Sequence, residues 1–81
     1  MTRQEIHTRL GGVFREVFDD DTLIITDATS AKDIEAWDSI AHITLICAVE
    51  EAFKHKFSLK NILTMKNVGE MTDILQAGEM R

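Results

Sequence analysis

Two adjacent side chains near the middle of the chain, Asp38 and Ser39, combine a carboxylate with a nucleophilic hydroxyl. An aspartate just before an apolar helical stretch is a preferred N-cap, because its carboxylate accepts hydrogen bonds from amides of the first turn. A serine that follows such a cap lies at the first helical position, beside amides that have no partner within the helix. Taken alone, the pair is therefore interpreted as a helix cap with an accessible hydroxyl.

A histidine follows this serine at helical spacing, since His42 lies three residues after Ser39. A Ser–His hydrolase would also need an oriented base, an oxyanion hole and a substrate pocket. The residues supply neither of the last two, and a chain of 81 residues has room for a modest core but not for an enclosed active site. We therefore predict that the protein is not an enzyme and that His42 faces solvent.

Other kinds of chemistry are excluded by residue type. The segment 19–30 begins like a calcium-binding loop, but Leu23, Ile24 and Ser30 occupy its fifth, sixth and twelfth positions, where the loop needs ligands or glycine. Cys47 is the only cysteine, so an internal disulfide and a cysteine metal cluster are excluded. A net charge of −5 argues against nucleic acid as a partner and favours a partner with a basic face.

The periodic apolar residues predict that helices position these groups. Thr2 and Glu5 form a capping box, and the helix that follows is expected to run to about Phe18, with an unexplained Gly11-Gly12 pair inside it. A long connection follows at 19–37, and its apolar residues, Leu23 to Ile25, are expected to pack against the bundle.

Three further helices are predicted. The second runs from Ser39 to about His55, with Trp37 packed over its first turn, and a short third helix spans 58–64. The last helix is capped by Asn67 and ends near Gly78. The predicted fold is thus all-α, with three long helices and one short helix in a single domain covering 1–81. No apolar run predicts membrane insertion, and the N-terminal residues lack a signal-peptide core, so we expect a cytoplasmic protein.

The stretch from Trp37 to Phe53 resembles the attachment motif of acyl carrier proteins. That motif is an Asp-Ser-aliphatic triplet at the start of a helix, here Asp38-Ser39-Ile40, with an acidic pair and a phenylalanine downstream, here Glu50-Glu51-Ala52-Phe53. The similarity extends over nearly the whole chain, because the order of long helix, long loop, motif helix, short helix and last helix also matches. The resemblance implies an acyl-carrier-type four-helix bundle.

The resemblance also implies what the serine does. In this family a phosphopantetheinyl transferase moves 4'-phosphopantetheine from coenzyme A onto the serine, which corresponds to Ser39, while Asp38 caps the helix and presents the hydroxyl. The covalent arm then carries acyl groups as thioesters for acyl-loading and acyl-processing enzymes of the ligase, ketosynthase or acyltransferase type. A phosphodiester at a helix start is also electrostatically favoured. We expect the carrier itself to be a monomer.

The second helix carries two adjoining apolar stripes. One contains Leu45, Ile46, Val49 and Phe53 and suits the core, whereas the other contains Ile40, Ile43 and Cys47 and is equally compatible with core or surface. By resemblance, the second stripe, together with Glu50 and Glu51, meets partner enzymes and flanks the path of the acyl chain. The resemblance further implies that the bundle opens to shelter part of the cargo.

The motif departs from that of fatty acid synthesis carriers at three points. Ala41 and Thr44 replace acidic residues, Trp37 replaces a small residue, and lysines are frequent in the later part of the chain. These departures favour a free-standing carrier dedicated to one lipid, polyketide or other secondary pathway. The alternatives are an aminoacyl, D-alanyl or peptidyl carrier, although Ala36-Trp37 differs from the Gly-Gly of peptidyl carriers, and a helical interaction module without a covalent group.

Overall fold

A computed structural model describes residues 2–79 of the chain, with four helices and no strand in that range. The helices are α1 (Arg3–Val17), α2 (Ser39–Phe53), α3 (Leu59–Thr64) and α4 (Val68–Glu79). The prediction of an all-α fold with three long helices and one short helix is confirmed. The predicted ends of α1 and α2 lie one and two residues beyond the observed ones, since α1 ends at Val17 and α2 at Phe53.

The first helix begins at the predicted capping box. The Thr2 side chain accepts from the Glu5 amide at 3.1 Å, and the Glu5 carboxylate accepts from the Thr2 amide at 2.8 Å. Because an α-helix turns once every 3.6 residues, Ile6, Leu10 and Phe14 lie on one face, and all three are buried. Through this face α1 packs against the core.

The core lies between the three long helices. From α2, Leu45, Ile46 and Val49 are buried as predicted, and Phe53 is partly buried at its edge. The long loop contributes Trp37, and the remaining core residues come from all parts of the chain: Ile6, Leu10, Phe14, Ile34, Phe57, Val68, Met71 and Leu75. One continuous apolar cluster therefore holds α1, α2, α4 and the long loop together.

The long loop is fixed to the start of α4. The amides of Val68 and Gly69 each donate at 2.9 Å to loop carbonyls, those of Thr29 and Asp27. A Cβ atom at Gly69 would lie 3.1 Å from the Asp27 carbonyl oxygen, so glycine permits this close approach. Asn67 caps α4 as predicted, because its side-chain oxygen accepts from the Glu70 amide at 2.9 Å.

The same loop is also tied to α1. Arg15 reaches from the last turn of α1 and donates to the Leu23 carbonyl at 3.1 Å. A Cβ atom at Gly11 would lie 3.2 Å from the Arg15 guanidinium, so the first glycine of the pair leaves room for this arginine. Leu23 and Ile25 pack against the core as predicted, whereas Ile24 is exposed.

A cluster of charged side chains, here called the Asp27 cluster, connects α1, the loop and α4. Arg3 donates to Asp73 at 2.7 Å and to Asp27 at 3.2 Å, and His7 lies 2.7 Å from the same Asp27 oxygen. The cluster thus joins residues that are far apart in the sequence but adjacent in the bundle.

The third helix is held differently from the others. Ser58 caps it by accepting from the Asn61 amide at 3.1 Å, yet none of its residues is buried. Leu59 and Leu63 point to solvent, and only Ile62 packs against the core. No described helix is both long and apolar enough to cross a bilayer.

Candidate functional site

Ser39 is the first residue of α2 and is exposed to solvent. Asp38 is the N-cap, and its carboxylate accepts from the Ala41 amide at 2.8 Å. The first intrahelical bond runs from the His42 amide to the Asp38 carbonyl at 2.9 Å. The hydroxyl is therefore presented at the positive end of the helix, where the first amides have no intrahelical partner.

A groove of about 560 Å³ opens beside Ser39, between α2 and α3. Its walls combine apolar side chains of both helices with two charged residues. The lining consists of Ala31, Trp37, Asp38, Ser39, His42, Ile43, Ile62, Leu63, Met65 and Lys66. A group attached to the Ser39 hydroxyl would have this groove directly beside it.

Two stacked rings line the groove. The imidazole of His42 lies over the indole of Trp37, with 5.9 Å between the ring centroids and 24° between their planes. The indole Nε1 donates to His42 Nδ1 at 3.0 Å, and His42 Nε2 lies 3.1 Å from the carbonyl oxygen of Ile62 in α3. We call this arrangement the Trp37–His42–Ile62 bridge.

The bridge corrects the prediction that His42 faces solvent. His42 is half-buried, and both of its ring nitrogens have partners. The indole N–H can only donate and the carbonyl of Ile62 can only accept, so the ring carries its hydrogen on Nε2. Sequence reasoning missed this role because the partner carbonyl comes from another helix, although the Trp37-to-His42 spacing could have suggested the first contact.

The stripe of uncertain orientation on α2 lies on the surface. Ile40 and Ile43 are 79% and 55% exposed, and Cys47 is also exposed. These three residues are therefore not part of the core. They form an apolar surface that runs along α2 from Ser39.

The two acidic residues at the end of α2 lie in different environments. Glu51 is exposed, whereas Glu50 is half-buried and accepts from the Phe57 amide at 2.8 Å. This hydrogen bond fixes the turn that follows Lys54, whose left-handed backbone (φ 51°) ends the helix. Glu50 thus has a structural contact that its predicted place on the partner surface did not include.

The described residues contain no group of three or more histidine, cysteine, aspartate or glutamate side chains that would hold a metal ion. The exposed positions on α2 from Ile40 to Cys47 are uncharged, and Lys66 is the basic residue on the groove. The exposed face of α2 that follows Ser39 is thus uncharged, and the groove beside it carries one acidic and one basic side chain.

The fold is a small α-helical bundle in which α2 begins with an exposed serine, Ser39. A solution NMR structure of a holo acyl carrier protein from Geobacter metallireducens is similar, with a TM-score of 0.86. The two sequences are 43% identical, and the match covers 93% of this chain and 86% of that one. No protein-family model and no curated protein matches the chain.

At this identity and coverage the chain belongs to the acyl carrier protein family. Acyl carrier proteins are carriers and not catalysts, so the prediction that the protein is not an enzyme is confirmed. The resemblance drawn from the motif between Trp37 and Phe53 is confirmed as well.

Proposed function

We propose that Ser39 is the attachment point of a 4'-phosphopantetheine arm, on which the protein carries acyl groups as thioesters. The observation that supports this assignment is the position of an exposed hydroxyl at the first residue of α2, directly after a formed cap. A transferase can reach a hydroxyl in this position without unfolding the helix. The thiol at the end of the arm supplies the thioester-forming group.

The attachment step is a phosphoryl transfer to the serine. The Ser39 oxygen forms a bond to the phosphorus that bears the pantetheine in coenzyme A, and the bond between that phosphorus and the bridging oxygen breaks. Adenosine 3',5'-bisphosphate leaves, and the hydroxyl proton passes to a base of the transferase. Asp38 supports this step by holding the first turn of α2 in place.

The electrostatics of the site favour the product. The new phosphodiester carries a negative charge and lies at the positive end of the α2 dipole, where it is stabilised. Lys66 lines the groove next to Ser39 and adds a cation on the same side of the molecule. The exposed surface that follows on α2 offers no further acidic side chain to repel the arm before Glu51.

We further propose that the carrier serves one dedicated pathway of lipid, polyketide or other secondary metabolism. Its partners are a phosphopantetheinyl transferase and the enzymes that load and process the acyl group. The surface that meets them consists of Ile40, Ile43 and Cys47 with Glu51, and Glu50 supports it through its bond to Phe57. A single domain, a monomeric state and a cytoplasmic location stay predictions from the sequence.

Intact mass spectrometry tests the attachment site. The purified protein is incubated with coenzyme A, magnesium and a phosphopantetheinyl transferase of broad specificity, and we expect a gain of one phosphopantetheine. Ser39→Ala should lose this gain completely. Ser58→Ala is the matched control, because Ser58 is also an exposed serine at a helix start, and it should be modified like the wild type. No gain in the wild type, or a gain in Ser39→Ala, would contradict the proposal.

A further inference from the structure

Two of the side chains that line the groove beside Ser39, those of Trp37 and His42, are aromatic rings, and Trp37 is also part of the core. Trp37 is only 8% exposed, and its indole packs edge-on against the fully buried ring of Phe14 at 5.3 Å between centroids. His42 covers the other side of the indole. The Trp37–His42–Ile62 bridge therefore stands between the groove and the apolar cluster behind it.

The bridge also connects α3 to the rest of the bundle. Among residues 2–79, the contact between His42 Nε2 and the Ile62 carbonyl is the hydrogen bond that joins α2 to α3. That carbonyl lies in the last turn of α3, where it has no intrahelical partner, so the histidine satisfies an otherwise free acceptor. Since α3 buries none of its residues, few other contacts oppose its movement away from α2.

An acyl chain that entered the core from Ser39 would have to pass this bridge. Separating α3 from α2 removes the donor from the Ile62 carbonyl, and displacing His42 removes the acceptor from the Trp37 indole. Polar groups left without partners in a half-buried place are unfavourable. The outer groove, in contrast, offers the exposed apolar side chains of Ile43 and Leu63 without any rearrangement.

We infer that His42 is a positioning residue that keeps the acyl chain in the outer groove, so that this carrier suits short acyl groups that need no shelter in the core. The inference rests on the proposed attachment at Ser39. It differs from the expectation that the bundle opens for its cargo, because here a specific pair of hydrogen bonds keeps the α2–α3 gap closed. Loss of His42 should convert the protein into a carrier that encloses its chain.

Nuclear Overhauser contacts of a ¹³C-labelled octanoyl chain test this inference. Octanoyl-phosphopantetheine is transferred from octanoyl-coenzyme A, and intact mass first verifies the loading. Absence of loading would count against the attachment at Ser39, not against the role of His42. In the loaded wild type we expect chain contacts with Ile43 and Leu63, none with the fully buried Leu45 and Val49, and an unshifted indole N–H resonance of Trp37.

Two variants separate the bridge from general stability. In His42→Ala we expect new contacts between the octanoyl chain and the core residues Leu45 and Val49. Trp37→Phe removes the indole donor together with part of the ring but keeps an aromatic side chain in the core, so it should show the same change in weaker form. This variant replaces His42→Ala if the latter does not fold. Thr44→Ala, on the exposed side of α2, is the matched control and should behave like the wild type.

Nitrogen chemical shifts of the His42 ring report directly whether the two hydrogen bonds of the bridge are formed. In the unloaded wild type we expect the pattern of a ring with hydrogen on Nε2, and in Trp37→Phe a shift of the Nδ1 resonance. Core contacts in the loaded wild type, or identical chain contacts in the wild type and in the folded bridge variant, would overturn the inference.

Discussion

The two sides of the bundle are held together by different kinds of contact. On the side of α1 and α4, fully buried residues such as Leu10, Phe14 and Val68 interlock, and the Asp27 cluster adds ion pairs at the surface. On the side of α3, no helical residue is buried, and Leu59 and Leu63 face solvent. Ser39 lies at the boundary between these two sides.

The side of α1 and α4 therefore supports the fold, whereas the side of α3 provides an exposed contact surface. The start of α2 is fixed by the Asp38 cap and by the buried residues that α2 packs against α1. The side that faces the groove can then expose apolar side chains for partners and cargo. Elements with few buried apolar contacts are the ones that open most easily, so we expect α3 to separate before the other helices once its bond to His42 is lost.

Approximate energies show why one histidine can control the groove. Leaving a buried donor or acceptor without its partner costs about 1–3 kcal/mol. Burial of one methylene group is favourable by about 0.8 kcal/mol of free energy. Rupture of the bridge frees two such groups, so a chain must bury roughly three to eight methylene groups in the core to offset it, whereas a chain that stays in the outer groove avoids this cost.

The largest expected effect on stability comes from replacing a leucine by alanine, compared between the two sides of the bundle. Leu10 is fully buried in α1 and Leu63 is 74% exposed in α3. We expect Leu10→Ala to lower the free energy of unfolding by about 2–5 kcal/mol, because it removes buried methyl groups and leaves a cavity. Leu63→Ala should change it by less than about 0.5 kcal/mol. Urea denaturation followed by circular dichroism measures both.

This pair also tests the comparison itself. Similar losses of unfolding free energy in Leu10→Ala and Leu63→Ala would mean that α3 is part of the cooperative core. The distinction between the other three helices and α3 would then be wrong. Ser39→Ala provides the baseline, since an exposed serine outside the cap contacts contributes little to folding.

A smaller effect is expected from the two N-caps. The Asp38 carboxylate caps α2 in the scaffold, and the Ser58 hydroxyl caps α3. Asp38→Ala should cost about 1 kcal/mol of global stability, as is typical for loss of a cap. Ser58→Ala should leave global unfolding nearly unchanged and instead speed the exchange of α3 amide hydrogens, measured by NMR. Equal global losses in both variants would indicate that α3 unfolds together with the scaffold.

Local signals in the sequence predicted most of this architecture. The Thr2–Glu5 capping box, the Asp38 cap and the buried face of Leu45, Ile46 and Val49 depend on residues within one or two helical turns. Such short-range patterns report directly on helix ends and faces. The exposed position of Ser39 followed from the same reasoning.

The contacts that the sequence did not reveal are long-range. His42 and Ile62 are twenty residues apart, and Arg3 and Asp73 are seventy residues apart. A single sequence gives no register between α2 and α3, so a histidine on α2 was interpreted as solvated. The hydrogen bond of Glu50 was missed for the same reason, because its partner amide at Phe57 lies beyond the helix end.

The smallest expected effect concerns acid stability on the scaffold side. Partial burial tends to raise the pKa of Asp27, but hydrogen bonds from His7 and Arg3, together with the arginine charge, outweigh it and lower that pKa below its ordinary value. A carboxyl whose pKa is lower in the folded state stabilises the protein above its unfolded pKa, and this contribution is lost as the pH falls through the folded pKa. The Asp27 cluster therefore stabilises the bundle at neutral pH but not in acid.

Thermal denaturation between pH 7 and pH 2 tests the Asp27 cluster. Asp27→Asn should melt slightly below the wild type at pH 7, and the difference should shrink once the pH falls below about 4, near the ordinary aspartate pKa. The effect is small because the Asp27 side chain is 58% exposed and its ion pairs are screened. Asp21→Asn, at an exposed position of the same loop, is the control for the change in net charge. A difference that persisted undiminished at pH 2 would mean that Asp27 acts through its shape and not through its charge, and the two sides of the bundle would then differ only in burial.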